Sequence, residues 1–419
     1  MSGADVLTFG CRLNLHESEA IAAQTRHLDD VVIVNTCAVT ASAERQARQA
    51  VRRAHRERPD ARIVVTGCAA QVAPEKWLAL PGVSRIVGNV EKTKAAIWKA
   101  DALDAPPRPV PDIMTAPVPA TPVVEAGGHV RALLQVQQGC DHRCTFCIIP
   151  FGRGPSRSVG VADVVGRARV LVEAGHREIV LTGVDIASWG QDLDGRPTLG
   201  VLCRAVLDGV PDLARLRLSS LDPAAFDEEL WRVLAEEPRF APHLHLSLQA
   251  ANDLVLKRMK RRHSRAQAGA LIERARSLRP ELGVGADLIA GFPTETDEQA
   301  QDTLDFVRDH RIAYLHVFPY SERPGTPAAR MPAVPNALRQ QRAAALREAG
   351  LANRTLFWQG LVDQGLIGET LDVLMEGPER GHSAQFAAIR LTGTRAQRGE
   401  RLIVRAVALD PDAVVARMT

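Results

Sequence analysis

Three cysteines crowd one short stretch of this chain, at Cys140, Cys144 and Cys147. Their C-x3-C-x2-C spacing places three thiols on one loop, directly after an apolar run, and no fourth cysteine follows close behind. Three thiolates on a cubic iron–sulfur cluster leave one iron without a protein ligand, and that iron can hold a substrate. The alternative is a zinc knuckle whose fourth ligand is His142 or Cys203. The triplet therefore predicts a metal centre, and its spacing favours an iron–sulfur cluster.

Three further cysteines, Cys11, Cys37 and Cys68, each follow a short apolar segment in the first hundred residues. Those segments, read as strands, cover residues 5–9, 31–34 and 63–65. In open α/β sheets the carboxyl ends of the strands form the edge where ligands bind. We therefore expect the three thiols to converge and to form a second three-thiolate centre. The alternative is that each is a small buried hydrophobic residue.

The elements that must position these cysteines follow from hydrophobic periodicity. In residues 1–100 the three strands alternate with helical patterns over residues 14–27 and 43–57, which predicts a parallel sheet with helices on its faces. From Arg131, six apolar strand candidates alternate with helical patterns and predict a partial or full (β/α) barrel with its chemistry at the carboxyl ends of the strands. The six candidates are Ala132–Gln137, Glu178–Gly183, Arg215–Ser219, His243–Gln249, Gly283–Ile289 and Tyr314–Pro319.

A proline-rich segment lies between these two units, and a third unit follows the barrel at the C-terminus. Seven prolines between residues 104 and 124 cannot sustain a helix or a sheet ladder, so an extended linker is predicted there. From about residue 355, segments 369–375, 385–391 and 401–409 alternate in the manner of strands between glycine-rich turns, which predicts a small β-barrel. The predicted domains are residues 1–103, a linker over 104–128, residues 129–354 and residues 355–419.

The composition predicts the cellular compartment of the protein but gives little information about its binding partners. The chain has 52 basic and 49 acidic residues, a formal net charge of +3, and no apolar run long enough to cross a membrane. Seven cysteines without a secretory signal predict a cytoplasmic protein whose thiols bind metal rather than form disulfides. A basic stripe on the second helical pattern, with arginines at 45, 48, 52 and 56, is either a solvated face or a phosphate-contacting surface.

The motifs resemble those of the radical S-adenosylmethionine (SAM) methylthiotransferases over essentially the whole chain. The resemblance is closest to the branch that acts on N6-threonylcarbamoyladenosine (t6A) in tRNA. The matching segments are Thr8-Phe-Gly-Cys-Arg-Leu-Asn14, Val34-Asn-Thr-Cys-Ala-Val-Thr40, Thr66-Gly-Cys-Ala-Ala-Gln71, the stretch from Val136 to Pro150, Arg153-Gly154, Glu178-Ile-Val-Leu-Thr-Gly-Val184, Arg217-Leu-Ser-Ser-Leu221 and Gly291-Phe-Pro293. Three positions depart from the usual pattern without removing a cysteine, namely Ala69, Asp185 and Trp189.

This resemblance implies a flavodoxin-like N-terminal domain, a radical SAM partial (β/α)6 barrel and a C-terminal TRAM-like β-barrel. It implies two [4Fe-4S] clusters, one on each cysteine trio, with SAM bound to the open iron of the Cys140 trio. It also implies transfer of a methylthio group to C2 of t6A at position 37 of tRNA, with the second cluster carrying the sulfur. Candidate SAM contacts are Thr182 and Gly183 for the amino end, and Ser219 and Gln249 for the carboxylate or ribose.

The predicted partners are tRNA, gripped at its anticodon loop, and an electron donor such as a flavodoxin. The chain is expected to act as a monomer away from membranes. The candidate basic contacts to the RNA backbone are Arg153, Arg157, Lys257, Arg258, Arg261 and Arg262, although such a run of charges is often only a solvated turn.

Three alternatives stay open from the sequence. The same chemistry could act on isopentenyladenosine in tRNA or on an aspartate of a ribosomal protein. A cobalamin-dependent radical SAM methylase could share the domain order, but its usual D-x-H-x-x-G motif is missing from the N-terminal region. A non-enzymatic RNA-binding protein with zinc sites is the third alternative.

Overall fold

The structure is a computed structural model that describes residues 3–115, 130–363 and 370–419. The predicted linker falls partly inside these ranges: residues 104–115 are described, and the remainder of that prediction lies outside the described residues. In the described part, Pro111 O accepts a hydrogen bond from the Gln71 side chain at 2.9 Å, and Ile113 is buried. This stretch therefore packs against the N-terminal unit. No helix in the described ranges is long and apolar enough to cross a membrane.

The N-terminal unit is a four-stranded parallel sheet with the strand order β1-β2-β3-β4. Its strands are β1 (Asp5–Thr8), β2 (Val31–Thr36), β3 (Arg62–Gly67) and β4 (Val83–Ile86), and its helices are α1 (Arg12–Gln24), α2 (Ala41–Glu57), α3 (Cys68–Val72), α4 (Pro74–Leu78) and α5 (Ala100–Asp104). Helix α2 turns Ala47, Val51 and Ala54 inward at helical spacing, and the Thr40 hydroxyl caps it by accepting from Ala43 N–H at 3.2 Å.

The parallel sheet confirms the fold class predicted for this region, but its sequential strand order differs from that of a flavodoxin. A flavodoxin-like sheet places the second strand outside the first, whereas here β2 lies between β1 and β3. As a consequence, the loops that follow β1, β2 and β3 are neighbours along one edge of the sheet. Cys11 and Cys37 lie in the first two of these loops, and Cys68 is the first residue of α3, directly after β3.

The central unit is built from six parallel strands and confirms the partial barrel. Two three-stranded sheets, β5-β8-β9 and β10-β11-β12, are joined by parallel bridges between Leu216 and Phe240 and between Leu221 and Leu246. The barrel strands are β5 (Arg131–Gln135), β8 (Glu178–Thr182), β9 (Arg215–Leu218), β10 (His243–Gln249), β11 (Gly283–Ala290) and β12 (Tyr314–Pro319), and a small hairpin pairs β6 (Gln137–Gln138) with β7 (Arg157–Ser158).

Helices cover the outside of this barrel and bury an extensive apolar core between themselves and the strands. They are α7 (Val161–Glu173), α8 (Leu199–Gly209), α9 (Glu228–Glu236), α10 (Asp253–Met259), α11 (Arg265–Leu278), α12 (Asp297–Asp309) and α13 (Asn336–Val362), whereas α6 (Ile149–Arg153) packs against α3 of the N-terminal unit. Helix α13 runs through the predicted domain boundary at residues 354 and 355, and its last turns bury Trp358 and Leu361 against the C-terminal unit.

The C-terminal unit is a closed five-stranded barrel, as predicted, in the order β13-β14-β15-β17-β16. Its strands are β13 (Leu371–Met375), β14 (Arg380–Ser383), β15 (Ala388–Leu391), β16 (Arg401–Leu409) and β17 (Val414–Met418). The turn between β14 and β15 inserts Phe386 against the amino ends of the central strands, where its ring lies 4.9 Å from that of His243. The C-terminal barrel therefore closes the end of the central barrel at which the amino ends of the strands lie.

Candidate active site

One cavity of about 620 Å³ is lined by all six predicted ligand cysteines. It lies between the carboxyl edge of the N-terminal sheet and the interior of the central barrel, and it extends down to Phe386. A larger cleft of about 1210 Å³ opens between β16 and the loops that precede β8, β9 and β10. That cleft is at the amino ends of the barrel strands and has no cysteine in its lining, so the chemistry is expected in the smaller cavity.

The loop that carries Cys140, Cys144 and Cys147 is fastened at several points. Cys140 N–H donates to Gly154 O at 3.0 Å, and Cys147 N–H donates to Cys144 O at 3.0 Å. Between them, the Thr145 hydroxyl donates to Arg258 O at 2.8 Å. The backbone thus holds the three thiols on the mouth of the barrel without help from a ligand.

Charged side chains surround this first trio. The Cys140 thiol donates to Asp185 at 3.8 Å, and Arg261 donates to Cys144 Sγ at 3.6 Å. Burial raises the pKa of Cys140 to about 12 and that of Cys147 to about 11, with neighbouring acidic groups and thiols adding to the rise. Cys68 of the other trio contributes to the shift of Cys147, which places the two trios within electrostatic reach of each other.

The second trio lies directly after the ends of three adjacent strands, β1, β2 and β3. Cys37 and Cys68 are buried, while Cys11 is exposed to the cavity that it lines. The loop before Cys11 approaches Cys37 so closely that a Cβ at Gly10 would lie 2.5 Å from Cys37 Sγ. Burial raises the pKa of Cys37 to about 12, and the Cys68 thiol beside it adds to the rise. The predicted convergence of these three cysteines is therefore observed.

Neither trio is spaced to hold a single metal ion. Ligands of a tetrahedral zinc, at about 2.3 Å from the metal, lie within about 4 Å of one another. Across the parts of the chain that the structure describes, the one group of three possible ligand atoms within 4.8 Å of one another is His245, Asp287 and His316. The cysteine sulfurs are thus spread more widely, as a cubic cluster with several metal atoms requires.

The zinc knuckle also lacks its proposed fourth ligands. Cys203 is fully buried in α8 among apolar side chains, where burial raises its pKa strongly. The His142 imidazole is engaged elsewhere, since its Nε2 lies 2.9 Å from Asp185 and 3.2 Å from the Ser188 hydroxyl. The Asp185 departure from the motif pattern is thereby explained as the partner of His142.

Arg153 was predicted to contact the RNA backbone, and this prediction is wrong. Its side chain is 1% exposed and lies between the N-terminal sheet and the barrel. Its Nε donates to Cys68 Sγ at 3.0 Å, and its other nitrogens donate to Glu17 and Asn14. Lys92, also buried, completes the network with a 2.6 Å contact to Glu17. A guanidinium so enclosed cannot reach a phosphate.

Arg261 likewise faces the cavity rather than a nucleic-acid surface, so its assignment to the RNA backbone is also wrong. It donates to Cys144 Sγ and to Ser247 O, and it pairs with Asp222 at 3.0 Å with 8% of the side chain exposed. The remaining basic candidates are more accessible. Lys257 is exposed, Arg262 is exposed although paired with Asp222, and Arg157 and Arg258 are half-buried.

The four candidate SAM contacts, Thr182, Gly183, Ser219 and Gln249, all line the same cavity. They lie at or just beyond the carboxyl ends of β8, β9 and β10. Gly183 cannot carry a side chain, since a Cβ there would lie 2.7 Å from Gln137 O. Gln249 adopts a left-handed backbone conformation with φ of 67°, a strained geometry of the kind that clusters at functional sites.

The sequence interpretation missed a set of polar side chains deeper in the barrel. His245 of β10, Asp287 of β11 and His316 of β12 meet inside the cavity with Arg12 of the N-terminal unit. The alternation of His243 and His245 along β10 was the available signal, because two inward polar positions in a barrel strand require partners.

Comparison with known proteins identifies two matching segments. Residues 134–307 match the radical SAM superfamily, and residues 4–88 match a family described as uncharacterized protein family UPF0004. The solved structure of the radical SAM methyltransferase TsrM from Kitasatospora setae superimposes with a TM-score of 0.52 at 17% identity, covering 75% of this chain and 66% of that one. That likeness concerns the fold alone.

Two relatives align over almost the whole chain. The threonylcarbamoyladenosine tRNA methylthiotransferase MtaB of Rickettsia prowazekii is 45% identical over 390 residues, covering 92% of this chain and 91% of that protein. The tRNA-2-methylthio-N(6)-dimethylallyladenosine synthase of Novosphingobium aromaticivorans is 33% identical over 434 residues, covering 99% and 96% respectively. The names of both relatives describe methylthiolation of an adenosine that carries a substituent on N6.

Proposed function

Because this chain belongs to the radical SAM tRNA methylthiotransferases, we propose that it transfers a methylthio group to C2 of t6A in tRNA. The observation that carries this function is the cavity into which both cysteine trios open. The greater identity to the relative named for threonylcarbamoyladenosine than to the one named for dimethylallyladenosine favours t6A as the substrate.

The radical SAM family implies SAM and a [4Fe-4S] cluster, and we assign the cluster to Cys140, Cys144 and Cys147. The residues fit this group: three thiols stand on one fastened loop at the cavity, and their sulfurs are spread too widely for one ion. Arg261 would donate to Cys144, and Asp185 would accept from groups at the open side of the loop. When bound, the cluster and SAM supply the one-electron chemistry that an unreactive aromatic C–H bond requires.

A second [4Fe-4S] cluster on Cys11, Cys37 and Cys68 is part of the proposal. The donor set again offers three thiols without a fourth, on three neighbouring strand ends, so a position for sulfur delivery stays open. Arg153 would hold the Cys68 sulfur in place by its hydrogen bond, an outer contact of the kind that orients metal ligands.

The remaining cavity residues would bind and orient the reactants. Thr182 and Gly183 would receive the amino end of SAM, and Ser219 and Gln249 its carboxylate or ribose, since all four line the cavity at the barrel mouth. Helix α6 packs against α3 beside this mouth, with Gly152 close to Cys68. The nucleobase would enter from the anticodon loop, where bases are unpaired and readily turned outward.

The RNA backbone would be held by the basic candidates that remain, the exposed Lys257 and Arg262 and the half-buried Arg157 and Arg258. We further propose a small flavodoxin-type electron donor, a monomeric enzyme and the domain boundaries predicted from the sequence. The β-barrel at the C-terminus carries few accessible aromatic groups, so electrostatic contacts rather than base stacking would dominate there.

The test is nucleoside mass spectrometry of tRNA from a strain that lacks the gene. The expected result is loss of the methylthio group from t6A alone, restored by the intact gene. Loss from isopentenyladenosine, or from a ribosomal-protein aspartate with tRNA unchanged, would assign one of the alternative substrates instead.

A further inference from the structure

The inner wall of the cavity carries a polar cluster that neither cysteine trio requires. Asp287 Oδ1 accepts hydrogen bonds from His245 Nε2 and from His316 Nδ1, both at 3.1 Å. The three side chains stand on adjacent strands, with Asp287 paired in register with His316. His316 is 54% exposed and lines the cavity, so its second ring nitrogen is available to a bound molecule.

Arg12 faces the same wall from the N-terminal unit. Its side chain is exposed in the cavity and makes no hydrogen bond to any residue that the structure describes. Asp287, Glu178 and Arg131 lie within electrostatic reach of its guanidinium. A guanidinium that is partly desolvated and lacks a bonded partner is a receptor for an anion.

The two relatives indicate which anion belongs here. A dimethylallyl group on N6 of adenosine is apolar, whereas a threonylcarbamoyl group presents a carboxylate, a hydroxyl and urea N–H groups. A site that discriminates between them needs a cation for the carboxylate and an acceptor for the hydroxyl or N–H. Arg12 supplies the first and Asp287 supplies the second, in one wall of one cavity.

We propose that Arg12, His245, Asp287 and His316 bind the threonylcarbamoyl substituent of the substrate and so determine the preference for t6A. This proposal rests on the function proposed above. Arg12 binds the carboxylate, and Asp287 accepts from the hydroxyl or a urea N–H. His245 and His316 hold the Asp287 carboxylate, and His316 also faces the ligand. These are specificity residues, because their proposed contacts are with the N6 substituent and not with the reacting C2.

The energetic reason for discrimination is the cost of unpaired polar groups. When an apolar substituent enters, Arg12 and Asp287 lose contact with water and gain no partner. Sites built to bond a polar substrate group reject analogues that lack it far better than apolar pockets reject polar ones. A divalent cation is the other occupant that two imidazoles and a carboxylate could take. The Arg12 guanidinium, which lies within electrostatic reach of Asp287 and lines the same cavity, opposes a bound cation by repulsion.

The test compares three RNA stem-loops, which carry t6A, the methyl ester of t6A, or N6-dimethylallyladenosine. The enzyme is reconstituted anaerobically with iron and sulfide, and kcat/KM for methylthio product is measured by mass spectrometry. In Arg12→Gln the ratio of kcat/KM for t6A over dimethylallyladenosine should fall about tenfold to hundredfold, the usual effect of one charge-assisted hydrogen bond. For the wild type, kcat/KM on the neutral methyl ester should be lower than that on t6A by a similar factor. For Arg12→Gln, kcat/KM on the methyl ester and on t6A should be nearly equal.

Arg232→Gln, on the outer face of α9, is the matched control and should leave the ratio unchanged. His316→Gln is a second, independent test and should lower the same ratio. It keeps the proposal testable if Arg12→Gln, which alters the residue next to Cys11, fails to assemble its clusters. An equal loss on all three RNAs, or an unchanged ratio in both variants, would overturn the proposal. So would a stoichiometric divalent metal other than iron in the wild type that is absent from His316→Gln. A wild type that is inactive on t6A RNA would instead refute the proposed function itself.

Discussion

Arg153 donates a hydrogen bond from Nε to Cys68 Sγ, at 3.0 Å, across the junction between the barrel and the N-terminal sheet. Arg153 is six residues beyond Cys147 in the chain, so one short segment carries the first cysteine trio and also holds a thiol of the second. The relative position of the two trios therefore depends on a few buried side chains, and those side chains can be tested individually.

Replacing Arg153 by Gln should destabilise the protein. Glu17, fully buried, would keep Lys92 as its one charged partner, and breaking a buried ion pair typically costs about 3–5 kcal/mol. The free energy of unfolding of the metal-free protein in urea measures the loss. Arg232→Gln should change it by less than about 0.5 kcal/mol, and an Arg153→Gln protein as stable as the wild type would contradict the network.

Acid should weaken the protein through two buried carboxylates. Burial alone would raise the pKa of each, but Arg153 and Lys92 lower that of Glu17 to about 2, and Arg217 and Arg215 lower that of Glu178 to about 2. A lowered pKa stabilises the fold above pH 4.5, and this stabilisation is lost as the pH falls toward 2. Each carboxylate contributes about 3 kcal/mol by this linkage.

The measurement is the free energy of unfolding between pH 6 and pH 3. Glu178→Gln should show a shallower decline than the wild type because one titrating group has been removed. Glu236→Gln, at an exposed position on α9, should follow the wild-type curve. Parallel curves for Glu178→Gln and the wild type would contradict the assignment.

Replacing Cys144 by Ala should abolish SAM cleavage while leaving one cluster in place. The variant should bind about four iron atoms per chain where the wild type binds about eight. Cys203→Ala, which alters a buried thiol in the core of the barrel, is the control and should keep both the iron content and 5′-deoxyadenosine formation. Continued 5′-deoxyadenosine formation by Cys144→Ala would count against the first site.

Replacing Cys37 by Ala should have the opposite effect to Cys144→Ala, because it should remove the second cluster and leave the first in place. SAM cleavage should persist, because the Cys140 loop is fastened independently by its own backbone hydrogen bonds, whereas methylthio product should disappear. Iron content should again fall to about half. Methylthio product from this variant would remove the second cluster from the account.

Much of the fold could be predicted because its strands are either apolar runs, such as β2, or strict alternations of apolar and polar residues, such as β10. The six barrel strands lie within two residues of their predicted bounds, and β16 coincides with its prediction at residues 401–409. The short strands β4, β14 and β17 were missed, since segments of four or five residues with mixed composition carry little periodicity. The sheet order β1-β2-β3-β4 depends on packing that no local pattern encodes.

The site could be predicted only where chemistry is fixed by residue type. Cysteines at strand ends could be predicted as metal ligands from the sequence. For an arginine, however, the sequence does not show whether the side chain is exposed to RNA or buried in an ion pair. Arg153 and Arg261 were misassigned because their partners, Glu17 and Asp222, are 136 and 39 positions away in the chain. The cluster of His245, Asp287 and His316 was missed for the same reason, since three strands must be in register before its members meet.

The most direct test of the central claim is a single-turnover reaction of the reconstituted enzyme with an RNA that carries t6A, SAM and a reductant, and no added sulfide. Mass spectrometry of the digested RNA should show 2-methylthio-t6A, up to about one per chain, together with 5′-deoxyadenosine. Formation of 5′-deoxyadenosine with t6A left unmodified would contradict the claim that two sulfur-ligated centres act on one substrate in a shared cavity.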